Sequence, residues 1–164
     1  MKRKFLIFLA VLCLSICIPH SAIRNAEAAG TVTQSLEVLP NIWGPKAYVL
    51  TLSWTADAAA ATVPDTSTTD DITNQIKGLF LYMVVTNPGA VAPTDNYDIT
   101  IEDTDGIDIM GGALQNRDQT NTEQAMPFVG ASYAPRPIGG TLTLKISGNS
   151  VNSATGTVKL YLIR

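Results

Sequence analysis

With 164 residues, 46% of them hydrophobic and 15% charged, the chain has the length and make-up of one globular domain. Its formal net charge of −3 provides no basic excess for gripping nucleic acid or an anionic membrane. The single histidine, His20, and both cysteines, Cys13 and Cys17, lie at the N-terminal end, so the rest of the chain has no Ser-His-Asp or Cys-His catalysis and no usual zinc, copper or haem ligands.

The first predicted element is a signal peptide over residues 1–28. Lys2, Arg3 and Lys4 form its basic start, Phe5 to Ile18 is apolar apart from Ser15, and Ala26-Glu27-Ala28 is an A-x-A cleavage pattern. The apolar run falls short of the roughly 20 residues that cross a bilayer. An uncleaved N-terminal anchor is one alternative. Lipoprotein processing is another: Leu14-Ser15-Ile16-Cys17 has the outline of a lipobox, although Ile16 is bulky where such sites take a small residue. Cleavage after Ala28 removes every cysteine and the histidine. It also removes Lys2, Arg3, Lys4 and Arg24 against only Glu27, so 11 basic and 14 acidic residues fall to 7 and 13, a net charge of −6. The remaining 136 of the 164 residues must then hold together without disulfides, which a core of that size can do.

Several later segments alternate with the period of two that marks half-buried strands. They are Thr31 to Leu39, Tyr48 to Thr55 with Leu50, Leu52 and Trp54 on one face, Thr141 to Ser147, and Thr157 to Ile163. Leu79 to Val85 is continuously apolar, which predicts a strand buried on both faces or a short helix; its β-branched and aromatic content, and Asn87-Pro88-Gly89 after it, favour the strand. Thr69 to Lys77 is the one candidate helix, with Thr69 or Asp70 as its cap. Turn signals occur at Asp105-Gly106, Gly111-Gly112, Gly139-Gly140 and Gly148-Asn149. Residues 29–164 are thus expected to fold as all-β, a single antiparallel β-sandwich, jelly-roll-like or immunoglobulin-like, with about seven to eight strands. Two long polar loops, Asp57 to Thr73 and Gln115 to Gln124, are expected to be functional or mobile.

Three places offer chemistry. Asp103, Asp105 and Asp108 surround Gly106 and present oxygens of the kind calcium takes, though without the EF-hand order; the plainer reading is a hairpin turn with Ile99 and Ile101 on one side and Ile107 and Ile109 on the other. Trp43, in Asn41-Ile42-Trp43-Gly44-Pro45 with Tyr48 nearby, could form a sugar platform or cover one end of the core. Arg117, in the second polar loop, is a candidate interface anchor or a solvated side chain. No phosphate-binding loop or dinucleotide fingerprint occurs, and no spacing singles out a Ser-Lys pair or a carboxylate dyad.

Ser53-Trp54-Thr55-Ala56-Asp57, Ala92 to Thr100, Asp103 to Asp108, Gly111-Gly112, Asn116-Arg117-Asp118, Thr122-Glu123-Gln124, Gly140 to Leu144 and Gly156 to Leu162 follow one another in an order that resembles small tailed-phage virion-associated proteins of structural or decoration type. The resemblance covers most of residues 50 to 164 and consists of turn and strand signatures. It implies a structural role within an assembly. Virion proteins do not normally carry an export signal, so the signal here implies a module given a new, external address.

These readings combine into an expected function: an exported, non-enzymatic structural protein, secreted, periplasmic or at the cell surface, that self-associates or decorates a larger assembly. Its expected partners are itself or a larger protein assembly, with no nucleic acid and no membrane insertion after signal cleavage. The alternative is a secreted module that binds calcium or carbohydrate, calcium being the one cofactor candidate. A hydrolase using two carboxylates is a third reading.

Overall fold

The computed structural model describes residues 29–40 and 46–164. The expected signal peptide and lipobox, and Trp43, lie outside the described residues.

The described residues fold as an all-β sandwich-like structure of antiparallel sheets with one short helix. Strand β1 (Thr31–Leu39) pairs with β2 (Ala47–Thr55), matching the alternation in the sequence. After β2 come β3 (Thr66–Ser67), α1 (Asp70–Ile76), β4 (Phe80–Pro88) and β5 (Asp98–Glu102). Four short strands follow: β6 (Glu123–Ala125), β7 (Phe128–Val129), β8 (Ser132–Tyr133) and β9 (Arg136–Pro137). The chain finishes with β10 (Thr143–Ser147) and β11 (Thr155–Ile163). Of these 11 strands, five are only two or three residues long, so the long ones are fewer than the seven to eight read from alternation, and the short ones carry too few residues to show a period.

The larger sheet runs β1-β2-β11-β4-β6, with β9 also on β4. The smaller runs β3-β10-β5, and β7 pairs with β8 alone. Between the two sheets lies one core. The larger contributes Leu50, Leu52, Trp54, Val158, Leu160 and Leu162; the smaller contributes Ile99, Ile101 and Leu144. Helix α1 begins where the sequence suggests: the Ile72 N–H donates to Thr69 Oγ1 at 3.4 Å, and Asp70 and Asp71 in the first turn complement the helix dipole. Ile72 and Ile76 face the core.

Strand β4 is central in its pairing, with β11 on one side and β6 and β9 on the other, but it is not buried on both faces. Leu81 and Val84 point inward, while Phe80 and Tyr82 are exposed. The alternation is interrupted by a bulge: Met83 lies opposite Tyr161 and Leu81 opposite Leu162, so Tyr82 is the extra residue. The inserted residue turns Tyr82 and Met83 together away from the core.

The two polar loops are tied to themselves. Asp57 Oδ1 accepts the Ala59 and Ala60 N–H groups, and that stretch continues into β3 and α1. Asp118 Oδ1 accepts the Thr120 and Asn121 N–H groups. Both acids lie below the usual carboxylate range, Asp57 chiefly through the Ala60 amide and Asp118 chiefly through the Asn121 amide.

Candidate functional site

The outer face of the larger sheet divides by chemistry. Reading across β1, β2, β11 and β4, one row is Leu39, Ala47, Ile163 and Phe80, continued by Pro137 of β9. The next row is Glu37, Val49, Tyr161 and Met83, apolar apart from the acid at the β1 edge. Farther along the strands the same face turns to hydroxyls, as in Thr33, Ser53 and Thr157.

At the β4–β6 edge of the apolar half, a hollow of about 560 Å³ is lined by Tyr82, Met83, Arg117, Glu123, Met126 and Tyr133, among others. Tyr133 sits on the β7–β8 hairpin, its ring 5.1 Å from that of Phe128 at 58°. It is 67% exposed, with Tyr82 at 43% and Phe80 at 42%. Large aromatics this open, beside flexible methionines, are the composition of a contact surface.

Arg117 forms part of this wall, but it is not a free anchor. Its side chain is only 12% exposed. Its Nη1 lies 3.5 Å from Glu123 Oε2, and its Nε and Nη2 donate to the Gln115 carbonyl at 3.3 and 3.0 Å. Its backbone N–H donates to the Tyr97 carbonyl at 2.7 Å. Arg117 therefore fixes the floor of the hollow and leaves contact to the tyrosines.

Tyr97, 1% exposed, lies behind that floor. Burial pushes its phenol up to about 12; Arg117 opposes this, and Glu123 and Asp118 reinforce it. In the unfolded chain the phenol ionises near 10, so its contribution is whole below that pH and is lost as pH rises toward 12. At pH 11 the protein should lose about 1 kcal/mol of stability through this group. Urea midpoints at pH 8 and pH 11 check this: Tyr97→Phe should lose correspondingly less than the unsubstituted protein, and equal losses would refute the assignment.

Asp103, Asp105 and Asp108 do not converge. Among the described residues, no group of three or more His, Cys, Asp or Glu side chains is placed to hold a metal ion. Asp103 Oδ1 accepts the N–H groups of Asp105 and Ile107, both at 3.0 Å. Asp108 accepts from Ile101 at 3.4 Å, Met110 at 3.0 Å and Gly112 at 2.7 Å. The segment turns back as expected, but the second arm is a single bridge, Asp108 opposite Glu102, so Ile109 is buried while Ile107 is exposed.

No protein-family model, curated protein or solved structure matches this chain. The aromatic hollow escaped sequence reading because its members come from β4, from the stretch after β5 and from the β7–β8 hairpin. Tyr82 standing next to Met83 in an apolar run was the one local signal.

Proposed function

We propose that this protein is an exported, non-enzymatic structural module that joins a larger protein assembly through the apolar half of its outer sheet face. The observation that carries the reading is the pair of exposed tyrosines, Tyr82 and Tyr133, lining the β4–β6 hollow, with exposed Phe80 two residues before Tyr82 on β4. Tyrosine rings supply contact area at low entropic cost and are enriched where binding energy concentrates. The non-enzymatic part is supported by residues 29–164 having neither histidine nor cysteine, and by Asp103 and Asp108 both serving backbone amides. The likeness of the turn and strand strings to virion-associated proteins agrees with a structural role.

The test is fractionation of the producing cells and medium. The protein should sediment with an exterior particle or surface layer. Tyr82→Ser combined with Tyr133→Ser should weaken that association by about thirtyfold or more, with the melting temperature held, as for loss of a hot spot worth about 2 kcal/mol. A freely dispersed protein, or a variant that stays bound, would refute the proposal.

A further inference from the structure

The aromatic hollow lies at one end of the larger sheet. The other end is β1, and no strand among the described residues pairs with its far side. Proteins normally guard such an edge by shortening it, by bulging it, or by placing proline or lysine in it. Strand β1 has none of these: it is nine residues long, TVTQSLEVL, in unbroken register with β2, and Glu37 is its only charge. Covering by a helix is the remaining guard, and α1 stands beside the strand, with Gln34 bonding the Ser67 carbonyl and the Thr69 N–H and a hollow lined by Ser35, Leu36, Asp71 and Gln75 between them, but among the described residues no hydrogen bond reaches the outward backbone of β1. The remaining edges among the described residues are short or covered. On the far side of β4 lie only β6 and β9, three and two residues long. Strand β5 is covered by its own chain, through the Asp108 bridge to Glu102 and through the Ile99 N–H donating to Leu114 O and the Ile109 N–H donating to Ile101 O. Strand β3 has two residues, and its Ser67 carbonyl already accepts from Gln34 Nε2 at 2.8 Å.

We infer that β1 is the interface with a second copy of this chain, the two β1 strands pairing antiparallel about a twofold axis to fuse the larger sheets. A second copy fits because it offers no other open edge of comparable length, so head-to-tail pairing is blocked and the contact closes as a dimer. A twofold axis normal to the sheet keeps each face on its own side and demands that facing residues share a face. Full overlap of the nine residues then places Ser35 opposite Ser35 of the partner subunit, the midpoint of the strand. In that register Val38, 42% exposed in the single chain, faces the position of Val32, and Glu37 faces the position of Thr33. The one acid thus avoids its own copy, and the half-covered valines bury each other.

This inference takes its motive from the assembly reading, but it concerns the opposite end of the sheet, so the two can fail separately. The experiment is analytical ultracentrifugation of the protein purified from expression of the whole chain, with Ser35→Lys and Ser35→Glu made separately. Ser35 is exposed on the outer face, so neither change disturbs the core. Each variant alone should dimerise about two- to fivefold more weakly, as like charges meet across the axis, and an equimolar mixture should regain the lost affinity. The same substitutions at exposed Thr104 should do neither. A protein monomeric at millimolar concentration, or a dimer indifferent to both charges at Ser35, would overturn the inference. In either case particle association that responds to Tyr82→Ser with Tyr133→Ser would leave the assembly reading standing.

Discussion

Gly156→Val should be strongly destabilising, costing about 3 kcal/mol or more, with Gly156→Ala costing about 1–3 kcal/mol. Gly156 sits in β11 between Trp54 of β2 and Pro88 of β4. A Cβ placed there lies 2.7 Å from Trp54 Cε2 and Cζ2 and 2.8 Å from Nε1, closer than real Cβ atoms come. The indole has nowhere to retreat. It is 2% exposed and its ring is held 5.9 Å from that of Tyr97. The close fit already leaves Trp54 Nε1 without a hydrogen-bond partner. Urea unfolding measures the graded loss. Trp54→Phe should recover part of the Gly156→Ala cost, because a smaller ring frees the space; a Gly156→Val midpoint equal to that of the unsubstituted protein would refute the argument.

Asp108→Ala should follow, costing about 2–4 kcal/mol. One carboxylate accepts three backbone N–H groups, from Ile101, Met110 and Gly112, and so ties β5 to the turn carrying the buried Ile109 and Met110. Alanine leaves all three donors without this acceptor, and donors to a charged group are among the costlier to strand. Asp108→Asn keeps one acceptor oxygen and should fall between. Thermal unfolding gives the ranking, and hydrogen exchange at the Met110 and Gly112 amides should quicken first. If Asp108→Ala melts with the unsubstituted protein, the carboxylate does not hold the turn.

Asp108 also marks the limit of what a sequence discloses. An aspartate beside a glycine in an acidic run can serve a cation or its own backbone, and only the direction of the carboxylate decides. The alternating segments were easier. Thr31 to Leu39 coincides with β1, and Tyr48 to Thr55 misses only Ala47 of β2, because one face of each strand meets the core and the period of two survives. Helix α1 was legible from Thr69 and the acids after it. Strand β4 was misread as buried on both faces because its exposed side carries apolar residues, Phe80, Tyr82 and Met83, so no polar alternation marks it, and the Tyr82 bulge that sets two of them side by side depends on the partner strand. The hollow was invisible for a related reason. Its tyrosines lie 51 residues apart, Tyr82 to Tyr133, and no spacing rule joins them. Arg117, read from the sequence as a candidate interface anchor or a solvated side chain, is instead held by its contacts with Gln115 and Glu123 as a fixture of the wall.

Strand β11 has a bearing on when this molecule can fold. It is the last strand in chain order, yet it lies between β2 and β4 in the larger sheet. Until residues 155–163 have been synthesised, the β1–β2 hairpin and β4 have no strand to join them, and the core lacks Val158, Leu160 and Leu162. Strands made early must wait for one made last, so pairing depends on contacts far apart in the chain and is correspondingly slow. A nascent chain built this way cannot close its larger sheet before those residues emerge. The placement of one strand thus delays completion of the core until the last strand has been made.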